Sequence, residues 1–80
     1  MTPEDMIATV DEDLRHIGVG TAGSPQNALR MDYGDHLKHT LSADPTKTRR
    51  QIFDESLERI RARYPGDELV YEDDYFDLDL

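Results

Sequence analysis

At 80 residues with a formal net charge of −9, the chain has room for one domain and a modest core. A domain this small buries roughly 60% of the surface its unfolded chain exposes, so its stability is marginal and association with itself or a partner would help it. The sequence contains no cysteine, which excludes disulfides, thiolate zinc sites and cysteine nucleophiles. No apolar run approaches the ~20 residues of a membrane span. The acidic start Met1-Thr2-Pro3-Glu4-Asp5 lacks the basic and apolar regions of a signal peptide. A cytoplasmic location, in a bacterium or a phage-infected host, is the expectation.

Three of the four prolines follow a good N-cap residue: Thr2-Pro3, Ser24-Pro25 and Asp44-Pro45. Proline at the first helical position loses nothing, because its missing N–H would be unpaired there, and the preceding side-chain oxygen accepts from a free backbone N–H. The three dipeptides therefore predict three helix starts, and Pro65-Gly66 a stop.

The first helix is predicted over 3–17. Met6, Ile7, Val10, Leu14 and Ile17 fall on one face, Glu4 and Asp5 suit the positive end of the dipole, and Gly18 is the expected C-terminal cap. The second, over 25–41, carries an i+4 ladder of Leu29, Tyr33, Leu37 and Leu41 flanked by Ala28 and Met31. Gly34 interrupts it at about 1 kcal/mol relative to alanine, which predicts a kink or a close helix approach. The third, over 45–64, has the stripe Ile52, Phe53, Leu57, Ile60 and Tyr64, an expected i,i+4 pair of Glu55 with Arg59, and a basic cluster Arg59-Arg61-Arg63 near its C-terminal end. The fold class is mainly α: a small three-helix domain over 1–66 with an acidic C-terminal extension over 67–80. In that extension Phe76-Asp77-Leu78-Asp79-Leu80 alternates as an edge strand does, Tyr71, Tyr75 and Leu78 also fit a short helix, and disorder until a partner arrives is a third option.

Charge is unevenly spread. Residues 65–80 hold seven acids and no base, giving −7, whereas residues 1–64 hold eleven acids and nine bases, giving −2. Residues 44–64 are basic, with six bases against four acids.

Several motifs bear on chemistry. Gly18-Val19-Gly20-Thr21-Ala22-Gly23 satisfies the G-x-G-x-x-G pattern, but a helical rather than strand-like segment precedes it and no second parallel strand follows, so a linker between helices is expected. His36 and His39 stand at i,i+3 with Asp32 and Asp35 one turn earlier; a solvated polar face accounts for them and no further ligands converge. His16 reads as a surface or boundary residue. Ser24, Ser42 and Ser56 lack a paired base, and the carboxylates sit in charge runs that are usually solvated. No catalytic residue, cofactor or metal is expected, and the protein is expected not to be an enzyme. Thr46, Lys47, Thr48, Arg49 and Arg50 give the third helix a helix-turn-helix-like basic start, but the overall acidity would oppose nucleic-acid binding.

The extension interleaves acids with large apolar groups. Tyr71, Glu72, Asp73, Asp74, Tyr75, Phe76, Asp77 and Asp79 are the candidate partner-binding residues, the acids steering toward a basic surface and the rings supplying burial once docked. The alternative is that Tyr71, Tyr75 and Phe76 pack onto the helical core, with the acids facing water or the Arg59-Arg61-Arg63 cluster. In size and charge the chain resembles small acidic inhibitors encoded by phages, such as anti-CRISPR and antirestriction proteins. That resemblance implies a non-enzymatic protein that occupies a basic, nucleic-acid-binding surface of a protein partner, without nucleic acid or membrane of its own and with a homodimer as an option. Two alternatives stand beside it: an antitoxin-type regulator whose body dimerises or binds DNA, and a structural subunit of a larger assembly.

Overall fold

The computed structural model describes residues 2–43 and 46–78. It contains three helices, α1 (Pro3–Leu14), α2 (Pro25–Ala43) and α3 (Arg49–Arg63), and a 3-10 helix over Asp73–Asp77. A small helical domain is what the proline and cap pattern predicted. No helix among the described residues is long and apolar enough to cross a membrane.

Local chemistry sets each start. Thr2 Oγ1 accepts from the Asp5 N–H at 3.1 Å, with Pro3 at the first position and Glu4 and Asp5 in the first turn. Ser24 Oγ accepts from the Asn27 N–H at 3.1 Å at the head of α2. The third start differs from the prediction: α3 begins at Arg49, capped by Thr48, and Asp44 and Pro45 lie outside the described residues. A reciprocal capping box explains the shift, since Thr48 Oγ1 takes the Gln51 N–H while Gln51 Oε1 takes the Thr48 N–H at 2.9 Å.

The ends are equally specific. α1 stops at Leu14 rather than Ile17, because Arg30 of α2 donates to the carbonyls of Leu14 (2.6 Å) and Ile17, supplying partners that a further turn would otherwise need. Gly18 is not a left-handed cap: among the described residues only Gly23 (φ 81°) and Gly66 (φ 86°) have positive φ. The Gly18 N–H instead donates to the Val70 carbonyl at 2.9 Å. Pro65-Gly66 does close α3, with Gly66 taking the left-handed turn after the cap residue Tyr64. α2 runs unbroken through Gly34 and ends two residues beyond Leu41.

α2 lies at the centre, with α1 and α3 packed against it, while no backbone contact joins α1 to α3 among the described residues. The space between them is closed by the segment after Gly66. Ile17 and Tyr71 form an isolated antiparallel bridge, and Gly18 and Glu72 donate to Val70 and His16 across it. The chain then turns through the 3-10 helix and drives Phe76 into the core, fully buried with Leu29, Tyr33, Leu37, Ile52 and Phe53. Phe76 stacks on Phe53 with ring centroids 3.8 Å apart and meets Tyr33 edge-on at 5.3 Å. Of the three conformations open to the extension, a short helix is the one observed over residues 73–77.

Two residues of the predicted stripes face outward. Ile7 and Met31 are 64% and 62% exposed, because α1 and α2 meet along Val10, Leu14 and Gly34 instead.

Candidate functional site: the docked acidic segment

The segment 67–77 is held by two polar anchors. The first is Asp13, wholly buried on α1. Its carboxylate accepts from the Tyr33 hydroxyl of α2 at 2.6 Å, from Arg49 Nε of α3 at 2.8 Å, and from the Tyr75 hydroxyl of the segment. One buried side chain thereby ties four elements together, and a buried carboxylate is tolerable only when its oxygens are satisfied in this way. Burial, and then the Asp13 hydrogen bond, push the Tyr33 phenol far above its ordinary range and the Tyr75 phenol up to about 12. Burial works against the Arg49 charge, but the hydrogen bond and charge of Asp13 outweigh it and raise the guanidinium pKa. The Tyr75 ring is also stacked on His16 at 3.6 Å and 9°, with Arg49 5.5 Å from its centroid. His16 is thus a boundary residue that clamps the segment.

Arg50 is the second anchor. It donates to Asp73 Oδ1 at 2.8 Å, to the Asp73 carbonyl at 2.6 Å, to Asp77 Oδ1 at 3.0 Å and, within α3, to Asp54 at 3.1 Å. These carboxylates, Asp73 first, hold the guanidinium charged well above its ordinary pKa. The sequence pointed to Arg59-Arg61-Arg63 as the tail's own basic partner. The structure gives that work to Arg50. Arg61 contributes through the Tyr71 hydroxyl at 2.8 Å, Arg63 lies over the Tyr64 ring, and Arg59 turns away to Asp32 of α2. The expected Glu55–Arg59 pair is replaced by this contact and by Lys47, which reaches Glu55 at 2.8 Å.

The same contacts occupy the basic start of α3. Lys47, Arg49 and Arg50 are engaged by Glu55, Asp13 and the acids of residues 54, 73 and 77. The glycine-rich loop is occupied too. Gln26 Nε2 donates to the Gly18 and Val70 carbonyls at 2.7 and 2.8 Å, and its Oε1 accepts from the Val70 N–H at 2.8 Å. A Cβ at Gly20 would come within 2.7 Å of Gln26 Cβ, so glycine is needed there for the loop to close on α2.

His36 and Asp32 are drawn to Arg59, which donates to Asp32 Oδ2 at 3.0 Å and to His36 Nδ1 at 3.1 Å. His39 and Asp35 are exposed, and no metal-ligating cluster forms among the described residues. Burial and then the Arg59 charge lower the His36 pKa from 6.5, with Lys47 adding to the effect and Glu55 and Asp32 opposing it. The unfolded chain therefore binds the extra proton in the window below 6.5, and stability is lost as pH falls through it. The urea midpoint is expected to drop between about pH 7 and pH 5, and to drop less in His36→Gln. Equal drops in the two proteins would contradict this placement of His36.

Of the candidate partner-binding residues, Phe76 is buried, Tyr71 and Tyr75 are half-buried against the body, and Glu72, Asp73, Asp74 and Asp77 are exposed. Asp79 lies outside the described residues. Glu72 also sits 3.5 Å from His16 Nδ1. Asp13 was not singled out in the sequence, and Arg50 only as part of the basic start of the third helix, not as a partner of the acidic segment. Asp13 had one usable signal: it stands three residues after Val10 and four before Ile17, on the apolar face of its helix. Compared with protein-family models, with curated proteins and with solved structures, the chain matches none of them.

Proposed function

We propose that this is a non-enzymatic binding protein that presents a rigid array of carboxylates to a basic, nucleic-acid-binding surface of a protein partner and inhibits that partner by occupying it. The observation that supports this reading is the division of labour in residues 67–77. The rings and Arg50 fix the backbone, while Asp67, Glu68, Glu72 and Asp74 remain exposed at its surface. A disordered acidic tail loses conformational entropy when it docks; carboxylates already held on a folded scaffold lose less. The aromatic residues act indirectly in this reading, by setting the spacing of the acids.

The antitoxin-type alternative draws less support. Its DNA-binding residues would be Arg49 and Arg50, and both are engaged by the chain's own carboxylates. The test is affinity capture from the native host at low and high salt, with the wild type and with the triple variant Asp67→Asn/Glu68→Gln/Asp74→Asn. The expected result is a basic protein captured at low salt, released at high salt, and bound at least about tenfold more weakly by the variant, whose fold is unchanged. Retention of the partner by the triple variant at wild-type affinity would refute the carboxylate array.

A further inference from the structure

On the side of the molecule formed by α1 and α2, away from α3, lies a groove of about 260 Å³. Its walls are Val10, Leu14 and Met31, its floor is Gly34, and Asp35 and Lys38 stand on its rim. Met31 and Lys38 of its lining stand seven residues apart on α2, and Ile7, beyond the lining, stands seven before Leu14 on α1, a spacing that also occurs in helix–helix seams. Ile7 and Met31 are among the few large apolar side chains left exposed.

Gly34 has no explanation in the chain's own packing. A Cβ there would meet Val10 Cγ1 at 3.7 Å and Leu14 Cδ1 at 3.9 Å, ordinary contact distances, so alanine would fit and would favour the helix by about 1 kcal/mol. Glycine leaves the floor of the groove without a side chain.

We infer that the groove receives a second copy of this chain, two α1–α2 hairpins packing face to face as a four-helix dimer. The face carries both socket and knobs. Leu14 lies level with Arg30, whose guanidinium takes its carbonyl, and Met6 lies level with Ser42, whose hydroxyl is 3.8 Å from its sulfur. A two-fold axis running along the helices keeps these levels and lays α1 of one copy over α2 of the other. Met31 then meets Leu14 of the second copy. Lys38, which has no ion pair among the described residues, comes over the Ile7–Asp11 stretch of an acid-bearing helix, its stem covering Ile7 and its ammonium facing Asp11. Both contacts occur twice, as an isologous interface requires. The acidic segment 67–77 lies against α3 and the end of α1, outside the groove, so the two carboxylate arrays stay apart.

The experiment is sedimentation equilibrium on the full chain, wild type and the surface variants Met31→Glu and Ile7→Glu, at low and at about 0.5 M salt. The expected result is a wild-type mass of twice 9.2 kDa at micromolar concentration, with tighter association at high salt because two chains of net charge −9 repel less when screened. Each variant is expected to weaken dimerisation at least tenfold while keeping its circular dichroism spectrum. A wild type that stays at 9.2 kDa up to about 0.5 mM overturns the inference, and so does a dimer that both variants leave intact. Opposite salt dependences separate this contact from the proposed partner complex.

Discussion

Asp13→Ala is expected to destabilise the protein by about 3–5 kcal/mol, the cost typical of breaking a buried ion pair by removing one partner. Total stability for a chain of this length is roughly 4–12 kcal/mol at the usual value per residue. The variant should therefore lose a large share of its stability and unfold at a much lower urea concentration than the wild type. The substitution takes the shared acceptor from Tyr33, Tyr75 and Arg49 at once, in a site with no exposure to water. Tyr33→Phe removes one of those hydrogen bonds and should cost about 1 kcal/mol, because Asp13 keeps its other donors. Urea unfolding of both variants checks the ranking. An Asp13→Ala protein within about 1 kcal/mol of wild type would show that the carboxylate does not tie the four elements together.

Phe76→Ala should cost about 3–5 kcal/mol, a large-to-small change at a fully buried aromatic. The ring lies flat against Phe53 and edge-on to Tyr33 and Tyr75, contacts that add to its area burial. Its position within the acidic segment makes the prediction discriminating. A residue in a solvated tail would cost nothing, and Leu78, two positions on and 55% exposed, is expected to lie within about 0.5 kcal/mol of wild type when changed to alanine. If Phe76→Ala and Leu78→Ala gave the same denaturant midpoint, Phe76 would not be a core residue.

The two substitutions probe what the sequence revealed least. Helix starts at Thr2-Pro3 and Ser24-Pro25 were legible because capping is local chemistry. The start at Thr48 was open to the same reasoning through Thr48 and Gln51, but the Asp44-Pro45 dipeptide drew the boundary four residues early. The stripes of α2 and α3 were legible because Tyr33, Leu37, Phe53 and Leu57 repeat at the helical period. The register of α1 was legible only in part. Its apolar residues spread over more than one face, and α2 meets it along Val10 and Leu14, which leaves Ile7 outside.

The acidic segment was harder for a different reason. Its composition fits a solvated tail, a strand or a helix, and its conformation is decided by partners far away in sequence: Asp13, His16, Arg50 and Phe53. Asp13 sits within Asp11-Glu12-Asp13, a run that resembles a solvated face, and only its phase relative to Val10 and Ile17 separates it from its neighbours. Tyr71, Tyr75 and Phe76 hold the backbone, and the acids between them are displayed.

That claim is tested most directly by native-state hydrogen exchange at the Gly18 and Glu72 amides. These donate across the Ile17–Tyr71 bridge to Val70 (2.9 Å) and His16 (2.8 Å) and report its opening in the intact protein. If the segment is part of the fold, both amides exchange with an opening free energy close to that of buried α3 amides such as Ile60, and lose protection together with them on adding urea. Exchange of Gly18 and Glu72 near the rate of an unfolded chain, while Ile60 stays protected, would mean that the acidic segment detaches from a body that folds without it.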